Sequence, residues 1–323
     1  MSDSRSLLGK SLSAPGPIVS MIAATGLWAI SLIAPLVLAA WSPAEITAGR
    51  YVSYGLVSAV ILFARYRDCR LGLQRWMRAA FYGLSGNVAV SILVSFAIQN
   101  AGAEVVIPII GLLPISISVA GSRHLSAATW RRLLIPFMLV TLGLAVVLAV
   151  QANTSGGSGR LTWSGTTAAL LSVCIWTWYA LSNARFLQNN PSVTSAHWSC
   201  AVGVATLLFC FVIVVVHFHS DRGPFLVRNI QQGWPLFMLV TVTLGVGTSW
   251  LATALFNRAS NALPMGLVGQ LVILETLFGI LYICLYKHTT PPPAQAGGML
   301  LSIAGIWLSA RVLLGTSMRA RQA

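Results

Sequence analysis

The sequence predicts an all-α polytopic membrane protein: ten transmembrane helices arranged as two inverted five-helix repeats. Three observations predict it. Of the 323 residues, 56% are hydrophobic and 8% are charged, against about 25% charged in an ordinary soluble domain, and mean hydropathy is +0.80. Apolar runs of the ~20 residues needed to cross ~30 Å of hydrocarbon recur along the chain. The second half can also be laid on the first. The composition excludes a water-soluble enzyme, a disulfide scaffold and a disordered chain.

The runs fall at roughly 17–40, 44–64, 77–98, 102–122, 132–151, 162–184, 192–217, 234–256, 261–286 and 293–314. None alternates with the period of two that a transmembrane strand requires, so each reads as a helix. The first follows Arg5 and Lys10 and contains Trp28 and Pro35. It is too long for the 7–15-residue core of a signal peptide. The second opens on Pro43 and carries Glu45 and Arg50. The third repeats Gly83, Asn87, Ser91 and Ser95 every four residues. The fourth is marked by Pro108 and Pro114, and the fifth by Gly143. The sixth places Ser172, Trp176, Tyr179 and Asn183 on one face, and the seventh begins near His197. The eighth aligns Thr241, Gly245, Thr248 and Ser249. The ninth holds Pro264, Gly266, Gly269, Gln270 and Glu275. The tenth presents Gly298, Ser302 and Gly305. Helices five and ten, with small residues and few polar groups, read as packing helices.

Charge sets the orientation. The chain has 20 Lys and Arg against 6 Asp and Glu. Counted on alternate sides of the ten runs, fifteen of those cations fall on the side of the termini and five opposite. The positive-inside rule then puts both termini in the cytoplasm. The net charge of +14 is spread over these short loops, so the expected partners include membrane lipids and exclude nucleic acid. The five cysteines have no zinc or redox spacing, and no metal or cofactor is expected.

The repeat rests on ordered matches. Trp28 falls on Trp176, Pro43 on Pro191 and Gly55 on Gly203 at an offset of 148; residues 97–100 resemble 254–257 at 157, and Gly143 falls on Gly305 at 162. Copies spanning 17–151 and 160–314 follow, joined by the Gly/Ser-rich linker 153–159. Five helices being odd, the second copy crosses in the opposite sense, an architecture typical of secondary transporters with substrate at the repeat interface.

On these features the chain resembles the drug/metabolite transporter superfamily in its EamA-type branch. The helix-2 start Pro43 to Arg50, Pro114 in helix 4 and the closing segment Gln295 to Ile306 carry the likeness. Within that branch the chain looks most like the YddG-type aromatic amino acid exporters. The sequence departs from the family where Arg123 and His124 follow helix 4, at the place of a common acidic residue. The resemblance implies a secondary transporter of the bacterial cytoplasmic membrane that exports amino acids, aromatic ones included, by alternating access. The alternatives are another small metabolite or drug, or a passive channel. The protein is expected to act as a monomer.

No enzyme motif occurs: no HExxH, no GxSxG and no phosphate loop. Glu275 lies about twelve residues, or ~18 Å of rise, into helix 9, near mid-bilayer. A carboxylate there costs at least ~2.5 kcal/mol unless paired, protonated or wet. It reads as a proton-coupling site, an ammonium ligand, or a neutral helix–helix contact. Arg50 reads as a carboxylate ligand, a gate, or a partner of Glu104. His197 reads as a proton site or a packed interfacial side chain. Trp28, Tyr82, Asn87, Ser91, Trp176, Tyr179, Asn183, Thr248 and Gln270 are the candidate substrate-binding residues. Aromatic walls with amide and hydroxyl groups suit a zwitterion carrying an apolar side chain. The same small polar positions also read as close helix packing. Gln270 and Glu275, five apart, diverge by about 140° on an ideal helix.

Overall fold

The computed structural model describes residues 16–38, 40–41, 43–66, 71–154, 162–219 and 233–322, with side chains for all of these except 35–36, 43–44, 103–104, 108, 151–154, 212–219 and 316–322. Most of the expected linker 153–159, and the side chains of Glu104 and Pro108, therefore lie outside the described residues. All regular structure among the described residues is helical. In chain order the rods are α1 (Gly16–Ile30), α2 (Pro43–Tyr66), α3 (Leu73–Ala101), α4 (Ala103–Ile110 and Leu113–Ser122), α5 (Ala127–Thr154), α6 (Trp163–Asn189), α7 (Ser195–His219), α8 (Trp234–Ala262), α9 (Met265–Tyr286) and α10 (Pro293–Gln322). Six contain a stretch long and apolar enough to cross a membrane: α2, α3, α5, α8, α9 and α10. Shorter apolar helices are Gly16–Ile30, Leu113–Ser122 and Ser195–Phe211. Helix α6 is 27 residues long but stands outside both groups, because its Ser, Thr, Asn, Gln and Arg residues dilute its apolar content.

Two of the expected runs are broken, each at a proline. Helix α1 stops at Ile30, and the chain turns before the short helix Ala34–Val37, whose second residue is Pro35. Helix α4 stops at Ile110 and resumes at Leu113, with Pro114 in the first turn. A proline inside a helix lacks an N–H and clashes with the carbonyl four residues earlier, here Ser31 and Ile110, which is where the regular helix ends.

Helices α3 and α8 share a second irregularity. Each is 29 residues long, and each runs for 10 residues as an α-helix before a π-helical segment, Gly83–Ala89 in α3 and Leu244–Leu251 in α8. These landmarks match at an offset of 161, as from Leu73 to Trp234, not the 157 read from the sequence. The difference of four residues is about one helical turn, so the sequence match kept the face and lost the level.

Helix α5 packs on α10, α2 on α7, and α4 on α9, while α3 packs on α6 and α1 on both α8 and α9. The first three pairs run antiparallel. Along α2, Gly55 meets Leu207, Ser58 meets Gly203 and Tyr66 stacks on His197. Along α5, Val140 meets Gly305, and Gly143 meets Ser302 and Gly298. The small-residue seam expected for helices five and ten is thus their mutual contact. On α4 and α9, Gly121 faces Gly266 and Ser118 faces Gly269.

The α2–α7 crossing has no room for a side chain at either glycine: a Cβ on Gly55 would strike Leu207, and one on Gly203 would strike Ser58. Gly55→Leu is expected to cost at least the ~1–3 kcal/mol of an overpacked core. The check is the thermal unfolding midpoint of detergent-purified protein, which falls by several degrees. Gly72→Leu, where a Cβ meets nothing within 4 Å, leaves it unchanged.

Candidate functional site

A cavity of about 210 Å³ lies at the centre of the bundle, lined from α1, α2, α3, α4, α6, α8 and α9. Helices α5 and α10 contribute no lining residue, in keeping with their role as a packing pair. Trp28 of α1 and Trp176 of α6 meet edge to face at 6.1 Å between ring centroids. Phe256 of α8 lies 5.3 Å from the first and 6.0 Å from the second. Tyr179, one turn beyond Trp176, continues this wall. Its ring lies against Gly86, where a Cβ would come within 2.7 Å of it. Gly86 belongs to the π-helical turn of α3, which brings backbone rather than side chain to the cavity edge.

Two charged side chains enter this aromatic chamber, Arg50 from α2 and Glu275 from α9. Arg50 Nε donates to Ser249 Oγ at 2.7 Å, and its guanidinium lies 5.6 Å from the ring centroid of Tyr51. The Glu275 carboxyl lines the same cavity and makes no hydrogen bond to any described residue. The cavity thus offers a held cation and a carboxyl with spare acceptor capacity, facing apolar rings. Asn87 also lines it, and its Nδ2 donates to Thr206 Oγ1 at 2.9 Å.

Of the twelve residues singled out in the sequence, six meet at this cavity: Trp28, Asn87, Trp176, Tyr179, Arg50 and Glu275. The other six lie elsewhere, each for a definite reason. Tyr82 is buried behind Tyr179, edge-on to it and to Trp198. Ser91 is turned outward by the π-helical segment, which breaks the four-residue periodicity of α3, and it pairs with the Tyr51 hydroxyl at 3.1 Å. Thr248 is spent on its own helix, donating to the Leu244 carbonyl at 2.8 Å. His197 is stacked on Tyr66 with centroids 4.6 Å apart, at the end of α7 and away from the cavity. Gln270 is 1% exposed, and neither of its amide atoms has a partner among the described residues.

Asn183 lies one turn beyond Tyr179, in a buried network in which only Asn257 Nδ2 lacks a partner among the described residues. It donates from Nδ2 to Asn257 Oδ1 and accepts from Trp198 Nε1, both at 2.7 Å. Gln188 adds a bond to the Ser260 carbonyl, and Phe186 packs on Trp198 at 4.2 Å. This knot ties α6, α7 and α8 together. Tyr51, Tyr54, Phe256 and Thr253 line the cavity without having been singled out. Tyr54 has a signal in the sequence, four residues from Arg50 on the same face; the others do not.

No protein-family model matches the sequence. The chain is 29% identical to the inner membrane protein YtfF of Escherichia coli (strain K12) over 296 residues, which is 88% of this chain and 92% of that one. A solved structure described as "crystal structure of protein" superposes with a TM-score of 0.71 at 17% identity, covering 93% of this chain and 99% of that chain. That likeness shows the fold. An inner-membrane relative and six helices long and apolar enough to cross a membrane together support a multi-pass inner-membrane protein.

The two buried amides should respond oppositely to substitution. Asn183→Leu leaves the Trp198 N–H and the Asn257 amide without partners, at about 1–3 kcal/mol for each orphaned group. Gln270→Leu removes a side chain whose polar atoms are already orphaned, so stability holds or rises. Thermal unfolding of the purified variants is the measurement, and the midpoint falls only for Asn183→Leu.

Proposed function

We propose that the chain is a secondary transporter that exports amino acids, aromatic ones included, across the cytoplasmic membrane by alternating access. The observation that carries this reading is that Arg50 and Glu275 line one chamber walled by Trp28, Trp176, Tyr179 and Phe256. A zwitterion presents its carboxylate to the first, its ammonium to the second, and an apolar side chain to the rings. Among the described lining residues Arg50 is the lone cation, which disfavours a substrate carrying several phosphates. The resemblance to the EamA-type branch of the drug/metabolite transporter superfamily points the same way.

The proposed architecture is ten membrane-crossing helices in two inverted five-helix repeats, with both termini cytoplasmic. Several features support it. Exchanging each helix for the one five places along maps the main packing pairs onto one another. Corresponding helices α2 and α7 run antiparallel, as do α4 and α9, and α5 and α10. The π-helical segments of α3 and α8 begin at the same depth in their helices. Rocking of one repeat against the other would expose the cavity to alternate sides. The knot around Asn183 would open in one state and close in the other.

Proteoliposomes loaded with one amino acid test the reading. Saturable counterflow of labelled phenylalanine or tryptophan is expected; flux growing linearly with concentration would mark a pore, and no flux of any amino acid would overturn the substrate class. Trp176→Ala is expected to weaken transport of aromatic substrates several-fold more than that of alanine. With Glu275 as the coupling group, Glu275→Gln abolishes the dependence on a pH gradient while exchange persists; an unaltered pH dependence removes it from that role.

A further inference from the structure

A second recess, a groove of about 310 Å³, lies on the flank of the bundle between α2 and α3, with Cys210 of α7 at its base. Helices α2 and α3 follow one another in the chain yet touch only sparsely, and the groove is the space this leaves. Along α3 it is lined by Val88, Ile92, Phe96 and Gln99, one stripe of helical spacing. Among the described residues no charged one lines it.

Its length matches one leaflet. From Val88 to Gln99 is eleven residues, or ~16 Å of helical rise, and half of the ~30 Å hydrocarbon thickness is ~15 Å. Its inner end is apolar and buried, with Val88 at 4% and Cys210 at 5% exposure. Its outer end carries the neutral polar side chains of Thr47 and Gln99, where α2 begins and α3 ends. Between these ends Ile92 and Phe96 are 53% and 45% exposed, on a helix apolar enough to cross the membrane. An apolar channel about one leaflet deep, opening outward and polar at the rim, has the dimensions of a single hydrocarbon chain entering from the headgroup level.

We infer that this groove is a binding site for one phospholipid acyl chain, seated against the outer side of Tyr51. Tyr51 lines both the groove and the central cavity, so its ring stands between the two. Its hydroxyl is held by Ser91 Oγ, and the Arg50 guanidinium lies over its ring. A chain in the groove therefore presses on the residue that backs the cavity's cation. The inference requires a membrane-embedded chain and is independent of what the cavity carries.

The test uses the full chain in phosphatidylcholine vesicles containing a trace of phosphatidylcholine with a photoreactive diazirine in its acyl chain, followed by peptide mass spectrometry. Cross-links are expected several-fold enriched at Val88, Ser91, Ile92, Ser95, Phe96, Tyr51 and Cys210 over the open surface of α5 at Leu134, Ile135 and Met138. Ser95→Phe and, independently, Ala48→Phe fill the groove from its two walls and bring labelling down to the α5 level. Tyr51→Ala lets the label advance to Val94 and Val90 on the cavity side. Equal labelling of groove and α5, which is annular lipid only, overturns the site. So does labelling insensitive to both filling variants, or a groove peptide cross-linked to a second copy of the chain instead of to lipid. Either filling variant decides the matter if the other fails to fold, as judged by its gel-filtration profile.

Discussion

Two opposite charges at the centre of a largely apolar bundle constrain everything around them. An unpaired ion in hydrocarbon costs several kcal/mol, so Arg50 and Glu275 require a polar, roomy chamber, and the chamber requires helices that stand apart there and close up elsewhere. The bundle meets both demands. Ser249 holds Arg50, the aromatic rings set the chamber's width, and the tight pairs α2–α7, α4–α9 and α5–α10 supply contact that the chamber forgoes.

Close packing comes from small residues, because lipid gives helices no hydrophobic reason to associate. Gly55 against Leu207 and Gly203 against Ser58 bring backbones together where side chains would block them. The π-helical turns serve the opposite need. In α3 the turn adds about one residue of rotation between Gly83 and Ala89, which points Asn87 and the bare face of Gly86 into the cavity and sends Ser91 outward to Tyr51.

Polar groups in the core divide into those that are knotted and those that are orphaned. The Asn183–Asn257–Trp198 knot uses donors and acceptors from three helices, whereas Gln270 is equally buried with no partner. Both amides look alike along the sequence, since each sits in a long helix within two turns of a cavity residue. What separates them is whether a neighbouring helix brings a complementary group to the same depth, which helical periodicity does not encode.

The sequence by itself determined the helical character and the apolar runs, the start of every rod to within five residues though not the ends of α1, α8 and α10, and the prominence of Arg50, Glu275, Trp28 and Trp176. Apolar run length and the cost of burying charge are local properties, legible one segment at a time. Only the tertiary structure decided which polar residues face the chamber. The π-helical turn of α3 took Ser91 off the stripe that a 3.6-residue period implies, Thr248 turned to its own helix's carbonyl, and helix pairing placed Tyr51 and Phe256 where no spacing rule pointed. The breaks at Pro35 and Pro114 were marked in the sequence as proline positions. Their effect, an α1 that ends at Ile30 and an α4 in two pieces, is seen only in the folded chain.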